Sequence, residues 1–174
     1  MRRREVDFVD VVEQLFRQTN AHGGGHGVLL TSVGNDGRPN AMTIGWGLYG
    51  CFYHEHPVAV AAVRPACHTF KLLDEVPEFV LCVPTDEIAE AVAFCGRESG
   101  RDHDKFTKTG LTPIPSERVR PPSIAQCPVH VECRIYYAQR PPHCILTPEH
   151  RQKPLAAQHT IYFAEVLGAY RMGG

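Results

Sequence analysis

The sequence predicts a mainly β chain with a few helices, curled into a closed or partly closed barrel. Two observations lead there: short strand-like runs recur along most of the chain, and helical periods are few. The 174 residues suffice for one domain with a real core, and the chain reads as a single domain, 1–174. An apolar fraction of 43% with 21% charged residues suits a soluble globular protein.

The elements follow in order. Apolar positions at Val6, Phe8, Val9, Val12, Leu15 and Phe16 give residues 5–19 a helical period. The glycines at 23–25 break it, so 1–26 reads as an N-terminal helix plus a flexible Gly-rich connector; no Gly-Lys-Ser/Thr follows to make a phosphate loop. Residues 27–33 read as a strand, and Asn35-Asp36-Gly37 as a hairpin turn. The next strand alternates Asn40, Met42, Ile44 and Trp46 against Ala41, Thr43, Gly45 and Gly47, one face apolar and the other small and polar. Further strands are expected at 58–63, 78–83, 129–138 and 160–170. A short helix is expected over 67–75, and another over 86–94 capped by Thr85. Residues 96–105 read as a polar loop, and 111–122 hold four prolines and cannot be long regular structure. Residues 140–158, rich in Pro and His, read as an excursion loop.

Composition excludes several functions. A net charge of −1 and a pI near 6.8 give no general attraction to nucleic acid or an acidic membrane, so neither is expected as a partner. The three leading arginines read as a solvated terminus. No run approaches the ~20 apolar residues of a membrane span, and the N-terminus lacks the apolar stretch of a signal peptide. Seven cysteines, an odd number with no C-x-x-C spacing, argue for reduced thiols in a cytoplasmic protein and against a disulfide framework. His22 with His26, or His54 with His56, offer donors for a metal, which keeps a His/Cys metal-binding protein as a third reading; no metal site is assigned.

Three local features fit an anion or a flat ligand. Arg64-Pro65-Ala66-Cys67-His68-Thr69 leaves a strand and enters a helix, where N-terminal amides attract phosphate; it also fits an ordinary capped helix behind a surface arginine. Ser99-Gly100-Arg101-Asp102-His103-Asp104-Lys105-Phe106 places two cations and a serine around a glycine; it also fits an exposed charged loop. The small strand face at Thr43, Gly45 and Gly47 would let a flat ring approach the backbone. No catalytic acid, base or nucleophile stands out, which suits a cofactor that brings its own chemistry.

Residues 40–47 (Asn-Ala-Met-Thr-Ile-Gly-Trp-Gly), 57–65 and 95–106 (Cys-Gly-Arg-Glu-Ser-Gly-Arg-Asp-His-Asp-Lys-Phe), followed by Gly110-Leu111-Thr112-Pro113, resemble the flavin reductase-like family of FMN-binding split β-barrels in order and spacing. Residues 127–133 resemble the family's next strand. The resemblance implies a homodimer with FMN near the subunit interface. It places Asn40, Met42, Thr43, Ile44, Gly45 and Trp46 along the isoalloxazine, and Arg64, Cys67, His68 and Thr69 at the phosphate and ribityl chain. Ser99, Gly100, Arg101 and Lys105 would close the same end. It further implies reduction of the flavin by NAD(P)H and passage of electrons to an acceptor; the alternative is a flavoredoxin-like carrier served by a redox partner protein. Cys67 and His68 depart from the Ser/Thr and Arg/Tyr common in the family. With no adenine-binding motif in view, FMN is expected over FAD.

Overall fold

The computed structural model describes residues 3–19, 25–45, 47–52, 56–148 and 154–173. Among the described residues, ten strands and four helices run in the order β1 (Arg3–Val6), α1 (Val9–Thr19), β2 (Val28–Val33), β3 (Pro39–Ile44), β4 (Gly47–Phe52), β5 (His56–Val63), α2 (His68–Glu75), β6 (Glu78–Val83), α3 (Ala89–Arg97), α4 (Lys105–Thr109), β7 (Pro113–Ile114), β8 (Ser123–Ile124), β9 (Val129–Gln139) and β10 (Thr160–Met172). The main sheet is ordered β3-β2-β6-β9-β10-β5-β4, with β1 paired to β10 and all described ladders antiparallel.

This order forces a barrel. β3 and β4 are the two ends of the seven-strand path, yet only Gly45 and Trp46 separate them in sequence. Laid flat, the ends would stand about 29 Å apart at the ordinary strand spacing. Three residue steps reach about 11 Å at most. The sheet must therefore curl until its ends meet. One strand was expected across residues 40–47; instead β3 ends at Ile44, β4 begins at Gly47, and the hydrogen-bond partner changes from β2 to β5.

Two cores result. Val28, Leu30, Phe79, Leu81, Val129, Val131, Ala59 and Ala61 fill the barrel, and α1 closes it with Val11 and Leu15. Leu29, Val80 and Cys82 point the other way, into a second core with Val92, Cys95, Phe106 and Ile124. β2 and β6 are thus buried on both faces, and β6 reads as a continuous apolar run from Phe79 to Val83. Four cysteines (Cys82, Cys95, Cys127, Cys133) are buried, and all seven are free thiols.

Three expectations are corrected. The helix starts at Val9, because Arg3–Val6 pairs with β10. Arg3 is not a solvated terminus: its side chain is only 10% exposed and reaches the fully buried Glu132 at 3.4 Å. Thr85 makes no side-chain cap; the segment opens with a 3-10 turn at Asp86–Ile88, and α3 runs on to Arg97.

Beside Glu132 on β9 lies His130, also fully buried. Its Nε2 donates to the Ile124 carbonyl at 2.8 Å, while Nδ1 has no partner. Burial, aided by the Arg3 charge, lowers its pKa to about 4 against opposing bonds to the backbone of Ile124 and Cys127. The folded state therefore holds fewer protons than the unfolded state between about pH 4 and 6.5. Stability is lost as pH falls through that window, by about 2 kcal/mol between pH 7 and 5. Urea unfolding of wild type and His130→Gln at the two pH values checks this: the variant should lack that part of the loss, and equal losses would contradict it.

Candidate functional site

A cleft of about 220 Å³ opens beside β3, between the entrance of α2 and the end of α3. Its walls are β3, the segment from Arg64 into α2, and the end of α3 with the loop after it. Nine of the fourteen sequence-predicted residues line it (Asn40, Met42, Arg64, Cys67, His68, Thr69, Ser99, Gly100 and Lys105), and a tenth, Arg101, braces its wall from behind. They come from three segments far apart in sequence, and each is held by an identifiable contact.

Thr69 is 1% exposed and Asn40 5%; Asn40 Nδ2 donates to Thr69 Oγ1 at 2.9 Å. The Thr69 hydroxyl proton remains available to a ligand. Cys67 stands at the N-cap of α2 in extended conformation and caps nothing with its side chain; Phe70 N donates to the Cys67 carbonyl at 3.2 Å, which leaves the His68 and Thr69 amides of the first turn open. Arg101 does not supply its charge to the cleft as a loose loop cation. Its guanidinium donates to the Ala66 and Cys67 carbonyls at 2.8 and 3.3 Å, tying the 99–106 segment to the α2 entrance. Lys105 is 5% exposed and donates to the Cys95 carbonyl at 2.8 Å; burial pushes its ammonium pKa down. Lys105 and Phe106 lie in α4, not in a loop; Asp104 caps that helix by accepting from Thr107 N at 3.1 Å. Arg64 is exposed at the rim, and among the described residues its guanidinium has no hydrogen bond or ion pair.

The small face of β3 is not open. Thr43 donates its hydroxyl to the Val92 carbonyl at 2.5 Å, and α3 covers this side with Gly96 close against Thr43. Ile44 packs in the barrel core, and Gly45 borders open space. The cleft uses the opposite face of the strand, at Asn40 and Met42. Trp46, like His22 and His54, lies outside the described residues. The structure adds Ala66, Cys95, Gly96, Arg97 and Glu98 to the walls. Most stand inside the 95–106 motif, so that motif was itself the signal. Among the described residues no group of three His, Cys, Asp or Glu could hold a metal, and no helix is long and apolar enough to cross a membrane.

The residues fit a flavin phosphate. Arg64, Arg97 and Lys105 outnumber the one carboxylate, Glu98, which already pairs with His103 at 3.4 Å. The His68 Nδ1 is buried without a partner, and burial followed by the charges of Arg101, Lys71 and Lys105 lowers its pKa, favouring a neutral ring. At Gly100 a Cβ would collide with Asn40, so the loop closes down only because no side chain is there. The volume is below the ~300–1,000 Å³ that encloses a whole ligand of drug size. It would suit the phosphate and ribityl end of such a ligand and not its ring.

The sequence model of the flavin reductase like domain matches residues 23–172. The chain belongs to the flavin reductase-like family. Among solved structures it is similar to flavoredoxin of Desulfovibrio vulgaris (TM-score 0.69, 23% identity, 83% of this chain and 68% of that one). It is also similar to an FMN-binding domain of a flavin reductase-like enzyme from Shewanella baltica (0.68, 19%, 98% and 77%). A third is an NADH:FAD oxidoreductase of Streptomyces globisporus (0.64, 21%, 84% and 75%). These likenesses establish the split-barrel fold. An uncharacterized protein of Archaeoglobus fulgidus is 35% identical over 98 residues, 56% of this chain and 54% of its own length. One from Pyrococcus abyssi is 32% identical over 108 residues, 62% and 60%. The match thus spans little more than half the length of these relatives.

Proposed function

We propose that the chain is an FMN-binding oxidoreductase that takes hydride from NAD(P)H and passes electrons to an acceptor. The observation that carries this is the convergence of two distant segments on one cleft, Arg64 with Thr69 at the open N-terminus of α2 and Lys105 at the start of α4. A bound flavin supplies hydride and electron chemistry of its own. The protein's part is to hold and orient it. The α2 amides, Arg64 and the Thr69 hydroxyl bind the phosphate; buried Lys105 and Asn40 fix the walls; Met42 gives the ring an apolar neighbour. The likeness to flavoredoxin favours a second reading, an electron carrier reduced by another protein. Anaerobic mixing of the FMN-loaded chain with NADH or NADPH separates them: bleaching of the flavin band within seconds supports the reductase, and a spectrum stable for minutes with either nucleotide supports the carrier.

The protein works as a cytoplasmic homodimer in this account. The outer face of β4, β5, β9 and β10 carries Leu48 (66% exposed) and Tyr137 (47%), with Val60 and Phe163 between them. Such a contiguous apolar surface fits a subunit interface, and free thiols fit a reducing compartment. Sedimentation should give a dimer; a monomer holding stoichiometric FMN would contradict this arrangement.

A further inference from the structure

His68 stands at the open end of α2, and its charge is not fixed. It is the first residue of the helix, and its backbone amide is one of the two left open there. A phosphate held by that amide is held by the residue that carries the imidazole. The ring lines the same cleft, with Cδ2 toward Gly100 and Nδ1 buried without a partner. We propose that His68 binds the flavin phosphate as an imidazolium that forms only with the ligand, so that the chain takes up a proton as FMN binds and loses FMN as the pH rises. The proposal rests on the flavin reading above.

The charges around the ring decide when it can carry a proton. Arg101 faces it from the segment before α4, Lys105 from α4 itself, and Lys71 from the next turn of α2. Asp36, in the β2–β3 turn, is the carboxylate that opposes them. Burial first, and then the three cations, hold the ring below the ordinary histidine pKa. The other neighbours largely cancel. Glu75 pairs with Lys71 at 3.5 Å, Glu98 pairs with His103 at 3.4 Å, and Asp104 is engaged in capping α4. Arg64 and Arg97 add positive charge in the flavin cleft, where Cys67 adds a thiol, and Arg38 adds positive charge on the far side of the ring. With no ligand the site thus surrounds His68 with positive charge and favours the neutral ring. A dianionic phosphate at the α2 amides reverses that balance, because an opposite charge within about 4–6 Å favours the charged form. The imidazolium then offers a donor on each nitrogen. An arginine in this place would carry its charge at any working pH; histidine makes the same contact conditional on a proton.

The proton comes from water and returns to it with the departing flavin, so it can be counted. FMN and riboflavin are titrated calorimetrically into the full chain at pH 7 in buffers of different ionisation enthalpy. The Kd of FMN is then followed from pH 6.5 to 8, where its phosphate, with a second pKa near ~6, stays mainly dianionic. Wild type should take up about half a proton or more per FMN, which over this range weakens binding about five-fold as the pH rises. Riboflavin should bring no uptake. His68→Arg should bind FMN with no uptake and an affinity flat across the range. His68→Gln should also show no uptake and bind FMN more weakly than wild type at pH 6.5. FMN binding tighter than riboflavin binding but without proton uptake overturns the inference and leaves the flavin reading intact. Uptake that persists in both variants does the same and assigns the proton to His103 or another group. Equal uptake with riboflavin also overturns it, since the phosphate is then not the cause. Binding of neither flavin overturns both readings. The wild-type counts with the two flavins decide between these results even where a variant does not fold.

Discussion

Arg64→Ala weakens FMN binding roughly 10- to 150-fold and leaves riboflavin binding unchanged. A hydrogen bond to a charged group contributes on the order of 1.5–3 kcal/mol, and about 1.4 kcal/mol is ten-fold in affinity. The chain's net charge of −1 offers no broad field to draw in a dianionic phosphate, so local cations must do it. Arg64 is the cleanest probe among them. It is exposed at the cleft rim with no structural hydrogen bond to lose. Lys105 is a poorer probe, because its ammonium holds the Cys95 carbonyl inside the wall and its removal disturbs the fold as well as the site. Riboflavin lacks the phosphate and is the internal control. Parallel loss of both flavins in Arg64→Ala would place the phosphate elsewhere.

Glu132→Gln is the most damaging single substitution expected outside the cleft. The Glu132 carboxylate is fully buried and accepts from Glu117 N at 2.9 Å, Arg118 N at 2.6 Å and Arg3 Nη1 at 3.4 Å. It thereby pins the proline-rich segment and β1 to β9. Glutamine must turn its NH2 toward one of these donors and leaves Arg3 only the exposed Glu117, at 3.4 Å, as a counter-charge. Breaking a buried pair by removing one partner costs roughly 3–5 kcal/mol, which in a chain of this size lowers Tm by about 6–20 °C. The exposed Glu13–Arg17 pair is the contrast: Arg17→Ala should cost less than about 1 kcal/mol. Calorimetric melting of the two variants decides it, and equal small shifts would show that the buried network contributes little.

The sequence made the strands legible wherever burial on both faces leaves a continuous apolar run, as in β5 and β6. It also showed both halves of the cleft, because each is a short contiguous segment: Arg64 to Thr69, and Ser99 to Lys105. What it could not show depends on partners distant in the chain. Arg3 looks like a solvated terminal cation until Glu132, 129 residues away, is brought beside it. The face of Thr43 looks open until α3 lies across it. The break between β3 and β4 falls inside an unbroken sequence alternation and shows only in the change of pairing partner from β2 to β5. The start of α4 is different: Asp104 three residues before Thr107 is a local capping signal, and it marks Lys105 as helical without any tertiary information.

A crystal structure of the full chain with FMN tests the central claim most directly. The account predicts the phosphate at the N-terminus of α2, within hydrogen-bond distance of the Thr69 hydroxyl and the Arg64 guanidinium, with the ring leaving past Met42. A phosphate bound away from α2, or a ring lying on the Thr43 face beneath α3, would contradict it.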